Sequence, residues 1–189
     1  MRGLILELRH SEISEPKFWD LFDAISSELD RHYWYFPSQN WFSPPSTLTL
    51  DELGGLTAPL KKQVSESGWV EGWFWRPGSL SLIGDAMNEE FIELWGIEPN
   101  LAEEFSYIDP RLQQHRLWVE RYAKFWINYV DSSSWEFFTR TDSVLEKLAG
   151  SLEHQTTVRV HSTDSNCRRD GFRRAGFPED WIQMIVPAQ

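Results

Sequence analysis

The segment from Thr163 to Arg174, TDSNCRRDGFRR, has the residue types of an anion-binding site. It follows a strand-like alternation of residues and begins a short helical pattern. Backbone N–H groups at the start of a helix and arginine guanidinium groups both bind phosphate or carboxylate oxygens. The candidate anion-binding residues are therefore Asn166, Arg168, Arg169 and Arg173.

A purely structural interpretation of this segment stays open. Asp164 has the residue type and the position of a helix N-cap, so that it would itself take the free N–H groups. Asp170 and Arg174 have the i,i+4 spacing of an ion pair on a helix surface. The arginines would then pair with acidic residues of the same chain instead of with a ligand.

Cys167 is the single cysteine of the chain, which excludes an intramolecular disulfide and a cysteine-based zinc site. Its position before Arg168 and Arg169 at a helix start favours the thiolate. A lone cysteine is nevertheless more often a small buried residue than a nucleophile. The spacing of His161, Asp164 and Cys167 is a weak metal pattern. We therefore predict no catalytic residue, no metal site and no cofactor.

The stretch from 158 to 187, VRVHSTDSNCRRDGFRRAGFPEDWIQMIVP, resembles the closing strand, helix and strand of acetyl-CoA-dependent N-acetyltransferases of the GNAT superfamily. Asn166 and Gly176-Phe177 match that family's late Asn and Gly-Phe. The resemblance implies acyl-CoA binding and a small-molecule transferase. Two features depart from the family pattern: Phe172 stands where the family has a general-acid tyrosine, and no glycine-bearing pyrophosphate loop is present.

Charge is distributed unevenly along the 189 residues, whose net charge is −11. Residues 1–110 hold 7 Lys or Arg against 19 Asp or Glu, and residues 85–109 hold eight acids with no Lys or Arg. An acidic surface repels the phosphates of nucleic acid and attracts a basic protein. We therefore expect no nucleic-acid partner and predict a basic protein partner. A solvated acidic face that keeps the chain soluble is the alternative.

Eleven tryptophans are spread over the whole chain, so most of them are expected in the core. A protein interface also needs a few aromatic anchors inside a charged rim. A third possibility is an aromatic-lined ligand pocket formed by residues 33–42, YWYFPSQNWF. The candidate interface residues are Trp34, Trp41, Trp95, Glu89, Glu90, Glu93, Glu103 and Glu104.

The sequence pattern predicts an α+β (or α/β) fold with one domain over residues 1–189. We expect a mixed central sheet with amphipathic helices packed on it. Residues 37–46 are expected to form a flexible proline-rich insertion. The spacing of Phe18, Phe22, Ile25 and Leu29 predicts a core helix. The last third predicts a β-α-β-α-β order. Its elements are strand 135–139, helix 142–152, strand 156–161, helix 168–175 and strand 181–186.

The middle of the chain is interpreted as one hairpin and two helices. Residues 69–83 predict two strands joined at Pro77-Gly78, the first of them central in the sheet. Residues 85–95 predict a helix that Gly96 ends, and residues 109–130 predict the longest helix.

No run of apolar residues approaches the roughly 20 that a membrane span needs, and the first residues are too short a patch for a signal peptide. The sequence therefore predicts a cytoplasmic protein without a membrane partner. With no persuasive catalytic set, the preferred function is an acidic protein-binding module, of an inhibitor or immunity type, that is not an enzyme.

Overall fold

The computed structural model describes residues 1–9, 16–36, 73–75, 77–78, 80, 91–101, 121–130, 133–179 and 182. Seven strands in this part of the chain form one sheet in the order β3-β2-β4-β5-β6-β1-β7. The strands are β1 (Arg2–Leu8), β2 (Tyr33–Phe36), β3 (Trp73–Trp75), β4 (Phe91–Ile97), β5 (Phe125–Val130), β6 (Ser134–Thr139) and β7 (Val158–Asp164). The predicted insertion at 37–46 lies outside the described residues.

The helices that are described pack against this sheet, so the predicted α+β class is confirmed. All six strand pairings in the sheet are antiparallel, whereas a mixed sheet was expected. The helices with described bounds are α1 (Phe18–Phe22), a 3₁₀ turn (Asp23–Ile25), α2 (Ser26–Leu29), α3 (Asp142–Leu152) and α4 (Ser165–Arg174).

The crossover predicted for the last third of the chain is present in the structure. β6 and β7 both pair antiparallel with β1, which lies between them, so β6 and β7 run parallel to each other. α3 connects their opposite ends, as a parallel pair of strands requires. In the described residues, β6, α3, β7 and α4 follow one another along the chain. Of the strand predicted at 181–186, only Ile182 is described, and its N–H donates to the Pro178 carbonyl at 3.0 Å in a helical turn.

The two helices predicted in the middle of the chain are wrong over 91–95 and 125–130, because these residues belong to the central strands β4 and β5, whereas residues 121–122 are helical as predicted. These strands are apolar on both faces, and a short apolar run looks the same in a buried strand and in a helix. Gly96 does not end a helix. A Cβ at this position would lie 3.1 Å from Phe125 and from Trp34, so glycine permits the close approach of three strands.

The strand predicted to be central over 69–75 is described only at Trp73–Trp75, which stands at one end of the strand order. This prediction of position is therefore wrong. The turn at Pro77-Gly78 is confirmed, since Gly78 has a φ of 82° and its N–H donates to the Asp30 carbonyl at 2.8 Å. The rest of the predicted hairpin lies outside the described residues except Leu80, which is helical and fully buried.

The main core lies between one face of the sheet and the helices α1 to α3. The predicted helical stripe of Phe18, Phe22, Ile25 and Leu29 is buried, and the rings of Phe18 and Phe22 pack edge-on against Trp135. α3 contributes Leu145, Leu148 and Leu152, as its spacing predicts. On the opposite face, a smaller core contains Tyr35, Trp95, Trp126 and Phe138.

A candidate cavity at the start of two helices

α4 begins directly after β7, and the side chain of the preceding residue caps its first turn. The Asp164 carboxylate Oδ1 accepts hydrogen bonds from the N–H groups of Asn166 and Cys167, each at 2.9 Å. The N–H of Cys167 is the largest cause that lowers the pKa of Asp164 below its usual value. The prediction that Asp164 caps this helix is confirmed. These two N–H groups therefore have an acceptor within the chain.

The Gly176-Phe177 pair, which matches the acetyltransferase pattern, forms the C-terminal cap of α4. Gly176 has a φ of 83°, a left-handed conformation that glycine adopts without strain. Its N–H donates to the Arg173 carbonyl at 3.0 Å, and the N–H of Phe177 donates to the Phe172 carbonyl at 3.1 Å. The rings of Phe172 and Phe177 touch edge-on at 5.2 Å. This is a Schellman cap with its usual apolar contact.

The structure does not bring the four anion-binding candidates together. Arg173 forms ion pairs with Glu179 at 2.7 Å and Asp170 at 3.0 Å. Arg168 turns toward the sheet, where it pairs with Glu136 and lies over the Phe172 ring. Arg169 is half-buried. Of the four, Asn166 alone lines the described cavity.

This cavity has a volume of about 470 Å³ and lies at the carboxyl ends of the parallel strands β6 and β7. α3 and α4 both begin at its wall. Its position follows from the crossover, because each of these strands is followed at once by a helix. The lining residues are Met1, Arg2, Thr139, Arg140, Asp142, Asp164, Ser165 and Asn166.

Two of the residues that line the cavity are buried and carry hydroxyl groups. Thr139 and Ser165 are 2% and 1% exposed. Thr139 Oγ1 accepts from the N–H of Thr141 at 3.0 Å, and Ser165 Oγ accepts from the Met1 amino group at 3.3 Å. The N–H of Ser165 in turn donates to the Met1 carbonyl at 3.1 Å. These hydrogen bonds join the N-cap residue of α3 to the last residue of β6, and the first residue of α4 to Met1, which precedes β1.

Charges of both signs line the cavity: the Met1 amino group, Arg2 and Arg140 lie beside the carboxylates of Asp142 and Asp164. The exposed Arg2 pairs with Asp142 at 3.0 Å, and the Nε of Arg140 donates to the Ala123 carbonyl at 3.1 Å, which fixes its direction. Burial lowers the pKa of the Met1 amino group, and the nearby Arg140 charge lowers it further. The positive ends of two helix dipoles lie at the same wall, where Asp142 and the capping Asp164 partly offset them. The arrangement favours a negatively charged group of a ligand.

Cys167 does not have the activated thiol that its arginine neighbours suggested. The thiol is exposed, and its Sγ donates to Asp164 Oδ2 at 3.3 Å. This hydrogen bond and the Asp164 charge raise the pKa of the Cys167 thiol above its usual value. The expectation of a favoured thiolate is therefore wrong, because the nearest charge is negative.

The metal pattern also separates in three dimensions. His161 Nε2 lies 3.2 Å from Glu7 Oε2, whereas Asp164 is engaged with the start of α4. Within the described ranges, no group of three or more His, Cys, Asp or Glu side chains could hold a metal ion.

Two of the predicted interface tryptophans are core residues. Trp34 is 0% exposed and Trp95 is 1% exposed, so neither can be a contact residue on the surface of the folded chain. Glu93 is half-buried and accepts hydrogen bonds from indole N–H groups. The remaining interface candidates, Trp41, Glu89, Glu90, Glu103 and Glu104, lie outside the described residues, as does most of the aromatic segment 33–42.

Sequence reasoning missed Glu136, a carboxylate with no exposure to solvent in the middle of β6. Burial raises its pKa, and attraction to Arg168 together with hydrogen bonds from Arg168 and Asn128 opposes that rise. The available signal was a single charge inside the apolar run SWEFFT. A charge at such a position in a buried strand requires a partner from elsewhere in the chain.

Comparisons with known proteins identify no relative of this chain. No family model matches the chain, and neither a curated protein nor a solved structure matches it. In the part of the chain that the structure describes, no helix is both long and apolar enough to cross a membrane.

Proposed function

We propose that this protein binds a small molecule with a phosphate or carboxylate group in the cavity between the starts of α3 and α4. The observation that carries this proposal is the convergence of two helix N-termini, Arg2 and Arg140 on one cavity. The starts of helices commonly bind phosphate or carboxylate groups.

The size and the composition of the cavity support the same proposal. A volume of about 470 Å³ lies within the range of roughly 300 to 1,000 Å³ that is typical of small-molecule sites. Buried hydroxyl groups from Thr139 and Ser165 and the Asn166 amide offer polar contacts around a bound anion. A phosphate-bearing cofactor of the acyl-CoA type, which the transferase alternative needs, is one member of this ligand class.

The test is thermal unfolding in the presence of phosphate, pyrophosphate or coenzyme A. Because a ligand of the folded state stabilises it by mass action, millimolar concentrations are expected to raise the Tm. The variants Arg2→Gln and Arg140→Gln should each reduce that rise. Arg159→Gln is the matched control, since Arg159 is an exposed arginine on β7 that pairs with Glu7.

Sodium chloride at equal ionic strength separates binding from general screening of charge. A Tm rise with chloride equal to that with the three anions, or no rise with any of them, would overturn the proposal.

Binding of a basic protein is a second candidate function, favoured by the acidic segment 85–109. A pull-down from host lysate at low and high salt tests it. A salt-sensitive basic partner is expected, and its association rate should fall at least tenfold when Glu89, Glu90, Glu103 and Glu104 are neutralised together, with Glu93 kept as the acceptor of two buried indole N–H groups. If that variant associates as fast as the parent, the acidic segment is a solvated surface that does not take part in binding.

A further inference from the structure

α4 has no apolar face with which to dock on the sheet. Its sequence, SNCRRDGFRR, contains four arginines, and Ser165 is its one buried residue. A helix of ten residues is marginal by itself in water, and helices in proteins usually depend on packing of an apolar stripe. The caps at its two ends fix the local conformation but do not attach its middle to the rest of the chain.

The middle of α4 is attached through Arg168. Its guanidinium group reaches the Glu136 carboxylate on β6, 32 residues earlier in the chain, and its Nη2 donates to Glu136 Oε1. The Phe172 ring, one turn later on the same helix, lies 4.3 Å from the guanidinium carbon and holds it in this direction. The Arg168 side chain is 23% exposed and the Glu136 side chain 1% exposed.

The ion pair between Arg168 and Glu136 has one hydrogen bond and is not bidentate. Oε2 of Glu136 and Nε of Arg168 are both buried and have no hydrogen-bond partner among the residues that the structure describes. The Glu136 carboxylate also accepts a hydrogen bond from Asn128, so that Arg168 is its one charged partner among the described residues. A buried carboxylate that loses its partner is strongly unfavourable, and Arg168 without Glu136 has solvent within reach.

We infer that Glu136 is a positioning residue for the cavity, because it anchors α4 through Arg168 and thereby holds Ser165 and Asn166 in the cavity wall. Glu136 is not itself a lining residue. The consequence for ligand binding rests on the proposed function, whereas the anchoring of the helix does not. Loss of the pair should release α4 from the sheet and weaken anion binding together.

Cys167 provides the probe, since it is the single cysteine of the chain and lies exposed on the first turn of α4. A nitroxide attached to it reports the mobility of the helix in its spin-resonance spectrum. Glu136→Leu is expected to increase the mobile fraction several-fold and to abolish most of the Tm rise with pyrophosphate. Glu7→Leu, which removes an exposed carboxylate from neighbouring β1, is expected to change neither.

The double variant Glu136→Leu with Arg168→Leu should restore an immobile probe, because an apolar pair of similar volume replaces a buried ion pair well. If Glu136→Leu does not fold, Glu136→Gln takes its place, and a partial increase in mobility is expected. An unchanged spectrum in these single variants would overturn the anchor. A mobile probe without any pyrophosphate effect in the parent would keep the anchor and overturn the proposed function.

Discussion

Trp95 and Trp126 lie directly opposite each other on β4 and β5 and donate to one shared acceptor. Their ring centroids are 5.5 Å apart, and both indole N–H groups reach Glu93 Oε1, at 3.0 Å and 3.2 Å. Both rings are buried, at 1% and 0% exposure. The Glu93 carboxylate therefore satisfies both indole N–H groups, so that the two rings can be buried in the smaller core, on the sheet face opposite α1 to α3.

Replacing Glu93 by leucine should destabilise the protein by about 2 to 4 kcal/mol, because two buried indole N–H groups lose their charged acceptor. Glu93→Gln keeps an acceptor oxygen and should cost about 1 kcal/mol. Urea titration followed by tryptophan fluorescence measures both values. Equal losses in the two variants would show that the acceptor does not matter to these tryptophans.

Gly3 is a second site of close packing, and it permits a precise test of the β1–β6 pairing. A Cβ at this position would lie 2.5 Å from the Phe137 carbonyl oxygen and 2.6 Å from the Phe138 ring. Gly3→Ala should therefore cost about 1 to 3 kcal/mol through overpacking.

Gly150 is the matched control for that substitution. It lies exposed in α3, where an added Cβ meets nothing within 4 Å. Gly150→Ala should stabilise the protein by about 0.5 to 1 kcal/mol through helix propensity. Thermal unfolding of both variants is the measurement. A Gly3→Ala variant as stable as the parent would contradict the register of β1 against β6.

His32 should make the protein less stable in mild acid. Its ring is 4% exposed, lies edge-on to Phe125, and has Nδ1 2.7 Å from the Glu28 carbonyl oxygen. Burial lowers the pKa of His32 below its usual value of 6.5, and the Lys124 charge lowers it further, against the hydrogen bond to Glu28. The unfolded chain then binds a proton below pH 6.5 that the folded chain does not bind.

The stabilising contribution of His32 is therefore present above pH 6.5 and is lost as the pH falls toward the pKa of the folded state. Urea titrations between pH 7.5 and 5.5 should show the parent losing stability relative to His32→Gln. The slope of that difference is at most about 1.4 kcal/mol per pH unit. Parallel pH profiles of the two proteins would show that His32 is not held neutral.

The elements that the sequence predicts correctly are those with local signals. α3 has a clear apolar stripe at helical spacing, and α4 has an acidic N-cap before it and a glycine after it. β4 and β5 are different, because both strands are apolar on both faces and their apolar spacing also fits a helix. The remaining features depend on contacts between residues that are far apart in the sequence, so no local pattern predicts them.

The cavity and the anchor belong to this second group. Arg2, Thr139 and Asp164 meet because β1 pairs with both β6 and β7, and no local pattern encodes that pairing. Glu136 and Arg168 are likewise brought together by the docking of α4. The sequence therefore identified Asn166 in the candidate site but assigned Arg168 and Arg173 to a ligand, although ion pairs within the chain engage both.

Asp164 has two separable roles, as a helix cap and as the negative charge beside Cys167, and two substitutions distinguish them. Asp164→Asn keeps a good N-cap oxygen and should change stability by less than about 0.5 kcal/mol, whereas Asp164→Ala should cost about 1 kcal/mol. Both variants remove the charge that raises the pKa of the Cys167 thiol. Because the thiolate is the reactive form, both should react faster with iodoacetamide near neutral pH.

The rate of alkylation as a function of pH gives the thiol pKa directly, and unfolding in urea gives the stability. The expected result is a lower thiol pKa in both variants with a stability loss in the alanine variant alone. Asp170→Asn is the control, since Asp170 is an exposed acid on the same helix that contributes less to the thiol pKa than Asp164 does. If Asp164→Asn reacts no faster than this control, the hydrogen bond from Sγ to the carboxylate does not govern the thiol.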